Sequence, residues 1–320
     1  MNYLVTGGAG FVGSAIVQNL IDHHHHVWVI DNLSTGYLSN IPAEAIFIKG
    51  DCSDTGTISK LKNQNFDAIL HIAGQSSGEI SFEDPVYDIN SNTISTLLLL
   101  QYAVKTHCKR FLYASTMSVY GQQENKICFS ENDRTNPLSF YAVGKLASEE
   151  YLKIYSRTYG IDFTVLRYFN IYGPGQNLDN LKQGMISIYL RQLLDPAFEN
   201  ISIKGSVERF RDFIFIDDIV AITIAFINQA NTFNQIINIG TGRKTTIASL
   251  LVLLNKYLPN NKSVNYLSGT PGDQFGIYAD NSKLRSLYPF PLKEIEAGLK
   301  LFCAYAWQKL NFQQTKNPNE

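Results

Sequence analysis

Charge of one sign, clustered cysteine and long apolar runs are all scarce in this chain of 320 residues. Its 27 lysines and arginines balance 28 aspartates and glutamates, for a net charge of −1. That balance argues against a nucleic-acid-binding protein, which carries a basic patch or stripe, so any phosphate bound here is met locally. Cys52, Cys108, Cys128 and Cys303 are scattered without the spacing of a metal site. A reducing, cytoplasmic setting is expected, with no secretory leader, because a glycine motif already begins at residue 7. The leucine run at 97–100 is flanked by Gln101 and Lys105, far short of the roughly twenty apolar residues that span a bilayer. It reads as a core or interface helix, and no contact with a membrane is expected. No internal repeat or low-complexity segment occurs.

What remains is 45% hydrophobic and 17% charged, enough apolar material for one large domain or two smaller ones. His23, His24, His25 and His26 form a run between the first helical pattern and the second strand pattern. Consecutive residues point in different directions and no cysteine or carboxylate cluster accompanies them, so a solvated loop is expected and no metal is assigned.

Residues 2–6 read as a short apolar strand, and Gly7-Gly8-Ala9-Gly10-Phe11-Val12-Gly13 then opens an apolar helix through Leu20 and Ile21. Glycines 8, 10 and 13 satisfy G-x-G-x-x-G, and glycines 7, 10 and 13 give a wider spacing. A pyrophosphate sits against helix N-terminal amides only where no Cβ holds it away. The alternative is a tight turn without a ligand. A second strand at 27–30 ends in Asp31, placed where an acid bonds the adenosine ribose hydroxyls of a dinucleotide. This favours NAD over NADP, because Asp31 repels a 2′-phosphate and Asn32-Leu33-Ser34-Thr35-Gly36 offers no arginine to receive one. A third strand at 45–48 leads to Asp51, which either holds the adenine edge or closes a turn.

Strand patterns near 2–6, 27–30, 45–48, 68–72, 110–115 and 163–167 alternate with helical or mixed segments, the mark of a parallel, doubly wound sheet. Thr116 and Asn170 fall at carboxyl ends of strands, where ligands lie in such sheets. Tyr141 and Lys145, four apart, share a helix face. The helix is expected to start near Ser139, an N-cap after Pro137, and to end near Gly160. A nearby ammonium favours the phenolate of a tyrosine, whose pKa is otherwise near 10. Alone the pair is weak, since both residues are common on helix surfaces.

Thr6-Gly-Gly-Ala-Gly-Phe-Val-Gly-Ser14, Asp31-Asn-Leu-Ser34, His71-Ile-Ala-Gly74, Ser115-Thr-Met-Ser-Val-Tyr-Gly121, Tyr141-x-x-x-Lys145 and Arg167-Tyr-Phe-Asn-Ile-Tyr-Gly-Pro174 stand in order along the chain. In these motifs, from residue 1 to about residue 300, the sequence resembles the extended short-chain dehydrogenases/reductases. Within them it resembles the NAD-dependent nucleotide-sugar 4-epimerases of the UDP-glucose 4-epimerase kind. The resemblance implies an α/β fold: a doubly wound parallel Rossmann sheet with a smaller, interleaved substrate-binding α/β domain. Residues 1–170, with segments near 212–240 returning to the main sheet, would hold NAD, and residues 171–320 would hold substrate.

By the same resemblance Thr116, Tyr141 and Lys145 are the catalytic set, with Ser115 as a fallback for Thr116. Gly7, Gly10, Phe11, Val12, Gly13, Asp31, Asn32, Ser34, Asp51, Cys52, Ala73, Lys145 and Tyr168 face the cofactor. Thr116, Asn170, Arg211 and Asp273 face a nucleotide diphosphate sugar, Arg211 because a guanidinium fork matches phosphate oxygens; its alternative is a surface salt bridge with Asp212. His71 is expected to be a packed strand histidine rather than an acid catalyst. A homodimer is implied. One departure is Gly269-Thr270-Pro271-Gly272-Asp273, where the epimerases commonly carry an arginine before the Gly-Asp pair. Sugar selection is expected in loops around 75–81 and 172–186 and near Thr270.

Four activities fit these motifs: a 4-epimerase, a 4,6-dehydratase, a 4-keto-sugar reductase and a catalytically silent NAD-binding regulator. Met117 and Ser118 disfavour the dehydratase, which by resemblance carries an acid pair after the threonine in order to eliminate water. The intact Tyr141 and Lys145 disfavour the regulator, and Asp31 favours tightly held NAD and so the epimerase. In that mechanism Tyr141 takes the proton of the sugar 4-hydroxyl while hydride passes to NAD. The 4-keto sugar then rotates, and hydride returns to its opposite face.

Overall fold

The computed structural model describes residues 1–124, 126–269 and 274–316. Seven strands make the central sheet: β1 (Asn2–Thr6), β2 (His26–Asp31), β3 (Ile46–Lys49), β4 (Ala68–His71), β5 (Arg110–Thr116), β6 (Asp162–Tyr168) and β7 (Gln235–Ile239). Their order across the sheet is β7-β6-β5-β4-β1-β2-β3, every neighbouring pair parallel. This is the expected doubly wound Rossmann sheet. The order reverses between β1 and β4, and a crevice opens at the carboxyl ends of the strands there.

Period-two alternation splits the strand side chains between two cores, one on each face. Along β5, Leu112 and Ala114 enter one core while Phe111 and Tyr113 enter the other. The first core is covered by α1 (Phe11–Asp22), whose Ile16, Val17 and Leu20 recur at helical spacing, and by Ile219, Ile222 and Phe226 further along the chain. The second is covered by α2 (Ser95–Lys105), through Leu99, Leu100 and Ala103, and by Leu152 of α3 (Phe140–Tyr159). The leucine run at 97–100 therefore belongs to a packed helix, and no helix among the described residues is long and apolar enough to cross a membrane.

Helix α3 begins and ends where its caps dictate. The Ser139 hydroxyl accepts the Ala142 amide at 3.2 Å, and Gly160 closes the helix at φ 66°. Its buried stripe contains Tyr141, Lys145, Ser148 and Leu152, so the packing that seats the helix also aims Tyr141 and Lys145 inward.

Beyond β6 the chain departs from one expectation. Only 235–239 joins the main sheet as β7; Phe213–Phe215 pairs instead with Asn170–Tyr172 in a separate two-stranded sheet. The reason lies in Asp212. Its buried carboxylate accepts the amides of Thr241, Gly242 and Ala279 at 2.8, 2.9 and 3.1 Å, and its carbonyl accepts Asn170 N at 3.0 Å. These bonds hold the segment beside 170–172 rather than beside β6. A four-stranded sheet of Thr245–Thr246, Phe210–Arg211, Gly276–Ala279 and Cys128–Phe129 and a pair of Asn200–Lys204 with Ser263–Leu267 complete the second region. Helix α4 (Met185–Leu194) covers it, α5 (Ile216–Ile227) leads back to pack on α1, and α6 (Ile247–Tyr257) and α7 (Ile295–Lys316) complete its cover, with α7 packed on α4 and α6.

Candidate active site

The turn between β1 and α1 shows why each glycine is there. Gly7 lies at φ 72°, and its amide bonds Ile30 O at 2.8 Å. A Cβ on Gly13 would collide with the Gly7 carbonyl, and one on Gly8 would come within 2.6 Å of Val29. Gly10 differs, because a Cβ there would meet only Gly7 O at 3.3 Å, on a side that opens into a cavity. No side chain caps the amino end of α1 and its first turn carries no acidic residue, which leaves its amides and dipole available to an anion.

That cavity, about 810 Å³ in volume, runs from the glycine turn across the carboxyl ends of the strands to the second region. It is lined by Gly7, Gly10, Phe11, Val12, Gly13, Asp31, Asn32, Ser34, Asp51, Cys52, Ala73, Thr116, Tyr141, Lys145, Tyr168, Asn170 and Arg211. Of the residues expected at the site, Asp273 alone lies outside the described residues, together with Thr270. The dinucleotide has a place here: the open face of Gly10 is a cradle a Cβ would fill. Asp31 accepts Ala9 N at 2.9 Å on one oxygen and Leu33 N at 2.8 Å on the other, and each oxygen keeps a lone pair for a ribose hydroxyl. Asp51 closes a turn as well as lining the cavity, accepting Ser53 N at 2.8 Å and the Asn32 amide at 2.9 Å. Burial works against its ionisation, but these bonds win and hold its carboxyl below the ordinary range. Burial pushes the Cys52 thiol up, so this cysteine lines the cavity without being a thiolate.

At the centre, Thr116 ends β5 directly opposite Tyr168 at the end of β6. The Thr116 hydroxyl caps the turn after it by accepting Ser118 N at 3.1 Å, and it donates to Ser118 Oγ at 3.2 Å. Ser115 does not stand in for it; its hydroxyl is given to Glu149, which is paired with Arg167 at 2.6 Å in the interior. Burial pushes the Tyr141 phenol up to about 12, the nearby Thr116 hydroxyl opposes the rise, and Asp88 adds to it. Burial also pulls the Lys145 ammonium down to about 8, against the attraction of Asp88. The ammonium donates to Ala114 O at 2.9 Å and lies 5.0 Å over the Tyr113 ring. Lys145 is expected to ease the ionisation of Tyr141 together with a bound nicotinamide cation. Within the chain alone burial outweighs any such help, because both groups are desolvated together. His71 is fully buried between the hydroxyls of Thr6, at 2.7 Å, and Thr96, at 3.1 Å, and burial holds it neutral by pulling it well below its usual value.

The far wall is cationic. Arg211 is no surface residue: it is 4% exposed and donates to the carbonyls of Phe210 at 2.7 Å and Gln274 at 2.9 Å, while Asp212 bonds elsewhere. Burial, and then the neighbouring Arg209, lower its guanidinium to about 9. Arg209, Asp88 and Asn92 belong to the surroundings of the site but were not anticipated, whereas Gln75 lies in the expected loop at 75–81. A readable signal was present for two of them, since Asp88 and Asn92 stand four apart, on one face of a helical segment just before the leucine run. Asn170 Oδ1 and Gln176 Oε1, both on cavity-lining residues, are buried without a hydrogen-bond partner in the described structure. Such orphaned acceptors are rare unless a ligand or water completes them. Across the mouth, exposed ion pairs Lys204–Glu79 and Lys182–Glu83, each 2.7 Å, join the two walls. No cluster of residues suited to a metal ion occurs among the described residues.

This geometry can be set against known proteins. The sequence profile described as "NAD dependent epimerase/dehydratase family" matches residues 3–240. The chain belongs to that family. As an epimerase/dehydratase family member it is an enzyme whose cofactor is NAD. Its fold is similar to a UDP-glucose 4-epimerase of Thermotoga maritima, solved with UDP-glucose, at TM-score 0.91 and 33% identity, covering 97% of this chain and 100% of that one. It is similar to a UDP-glucuronic acid 4-epimerase of Bacillus cereus, solved with UDP-glucuronic acid and NAD, at TM-score 0.85 and 29% identity, covering 97% and 100%. In sequence it is 33% identical over 258 residues to the UDP-glucose 4-epimerase of Mycolicibacterium smegmatis, spanning 78% of this chain and 80% of that protein.

Proposed function

We propose that this family member is a nucleotide-sugar 4-epimerase acting on a uridine diphosphate sugar through a transient 4-keto sugar. The observation that carries the reading is a single cavity holding an open glycine turn with Asp31 at one end, Thr116, Tyr141 and Lys145 in the middle, and two buried arginines at the other. The names of the similar proteins support the choice of sugar nucleotide. Residues 1–170, with the strand returning at 235–239, hold the cofactor, and residues 171–320 supply most of the substrate wall.

NAD, when bound, supplies the hydride acceptor and donor. Gly10 and the α1 amides would receive its pyrophosphate, Asp31 a ribose and Lys145 the nicotinamide ribose, and Phe11, Val12, Asn32, Ser34, Asp51, Cys52, Ala73 and Tyr168 would line its site. Tyr141 takes the proton of the sugar 4-hydroxyl as that carbon becomes a ketone, and gives it back when the alcohol re-forms on the other face. Thr116 holds the reacting oxygen in both states, since a hydroxyl both donates and accepts. Arg211, with Asn170, keeps the diphosphate in place while the sugar turns.

The test is conversion of excess UDP-sugars followed by NMR, with no added reductant. Formation of the 4-epimer without lasting change at the nicotinamide absorbance supports the reading. Consumption of one NAD(P)H for each 4-keto sugar, with no epimer from any UDP-hexose, makes the protein a reductase instead. The apolar face of Phe82, Val86, Ile89, Phe140 and Val143, all exposed, supports a homodimer formed there, and sedimentation at micromolar concentration checks it.

A further inference from the structure

Behind the catalytic centre lies a buried polar cluster that the proposed mechanism leaves unused. Asp88, on the short helix Pro85–Ile89, is 1% exposed, and among the described residues no ion pair is recorded for it. One carboxylate oxygen instead accepts two side-chain amides, Gln75 Nε2 at 2.8 Å and Asn92 Nδ2 at 3.0 Å. Asn92 sits in a π-helical turn, Asn90–Ile94, that joins this helix to α2 and buries Ser91, Asn92 and Thr93. Single π turns of this kind are frequent at functional sites.

An ionised carboxylate only accepts hydrogen bonds, so it dictates which end of a neighbouring amide faces it. Asn92 Nδ2 has both of its hydrogens engaged, toward Asp88 and toward Gln75 O at 2.9 Å. Its Oδ1 must then face away, and there it is buried without a partner in the described structure. The place it faces is marked by Gly74, where a Cβ would collide with Asn92 Oδ1 and lie 2.9 Å from Lys145 Nζ. Gln75 is fixed likewise: Nε2 also donates to Ser77 O at 2.7 Å, and its oxygen accepts Ser77 N. Ser77 caps the helix Gly78–Glu83 at the cavity wall.

We propose that Asp88 is a positioning residue: its carboxylate fixes the orientation of the Gln75 and Asn92 amides and so presents the Asn92 carbonyl oxygen beside the Lys145 ammonium. A second effect follows from the same placement. Burial lifts the Asp88 carboxyl to about 6, so it is ionised at neutral pH, where it holds Lys145 cationic against desolvation. The other titratable groups around Lys145 stay neutral there: His71 from β4, pulled down by burial, and Tyr113 and Tyr141, pushed up by it. The geometric part is independent of the epimerase reading, and its kinetic consequence rests on that reading.

The experiment compares the full-length protein with Asp88→Asn, whose amide donates as well as accepts and no longer dictates orientation. Without sugar or added cofactor, the Lys145 side chain is followed by NMR in lysine-labelled protein, assigned by its absence in Lys145→Arg. It is expected to titrate near 8 in the wild type and roughly a unit lower in Asp88→Asn. In turnover, kcat is expected to fall by roughly tenfold or more with KM nearly constant, and the pH profile of kcat to move to the acid side. An unmoved Lys145 titration with an unmoved profile would overturn the proposal and leave Asp88 a packing residue. A shifted titration in a wild type that epimerises nothing sustains it while the functional reading fails. Should Asp88→Asn not fold, Asn92→Leu removes the presented oxygen directly; a folded variant with full kcat overturns the proposal, and loss of kcat supports it.

Discussion

The two ends of the cavity are built in opposite ways. In the proposed reading, recognition at the cofactor end is a property of three short stretches: the turn at 7–13, the strand end at Asp31 and the turn at Asp51, all lining the cavity. Backbone does most of the work there, through a glycine that leaves room and helix amides that meet an anion. At the substrate end, Asn170 and Gln176 come from one segment and Arg209 and Arg211 from another, and in the same reading their side chains carry the recognition. The difference teaches what kind of change each end tolerates. A backbone site is damaged by adding an atom, a side-chain site by removing one.

The catalytic group between the two ends should belong to neither. Tyr141→Phe removes one hydroxyl and keeps the ring, so turnover is expected to fall by about 10³-fold or more, and Thr116→Val by about 10²-fold, with both ligands still bound. Isothermal titration with NAD and with UDP checks the second half of this claim. A Tyr141→Phe protein of full activity would remove the tyrosine from the mechanism.

Arg211→Ala should strike the substrate end alone. Loss of a buried charged contact costs about 2–5 kcal/mol, which appears as a rise in KM for the nucleotide sugar of at least about thirtyfold, with NAD affinity unchanged. An equal loss of NAD binding would break the division between the two ends.

Gly10→Ala and Gly13→Ala divide the cofactor end itself. A methyl on Gly10 fills the cradle and meets little protein, so the expected result is an unaltered melting temperature with NAD binding weakened at least about tenfold. A methyl on Gly13 strikes the Gly7 carbonyl, and overpacking against backbone costs about 1–3 kcal/mol of stability, visible as a lower melting temperature. The smallest effect is expected from Asp31→Ala, which should relax the preference for NAD over NADP by a few-fold to tenfold without touching UDP-sugar binding. Equal affinities for NAD and NADP in the unaltered protein would remove Asp31 from that role.

Much of this was legible because it is local. Six strands of the sheet, the helix from Ser139 to Gly160 and the glycine turn each follow from period, cap or spacing within a few residues, whereas the return of 235–239 to the sheet was implied only by the family resemblance. The inward aim of Tyr141 and Lys145 was legible for the same reason, since helical period alone puts both on the stripe with Ser148 and Leu152. The pairing of 213–215 was not legible, because an apolar triplet fits any sheet edge and only the Asp212 hydrogen bonds select 170–172. Nor was the second arginine. Arg209 in the sequence is one cation among 27, and its membership of the cavity wall depends on how the segment at 205–211 folds against the rest.

By itself the sequence determined the alternation of strand and helix, the position of the glycine turn and the order in which the chemical residues occur, because these depend on neighbours along the chain. Tertiary structure alone decided their protonation and their company. Tyr141 is pushed up and Lys145 down because packing strips both of water, Ser115 is diverted to Glu149 because β5 and α3 meet there, and Asp88 faces Asn92 and Gln75 because a π turn folds inward. Desolvation and amide orientation depend on what surrounds a group in three dimensions, and no spacing along a chain encodes that.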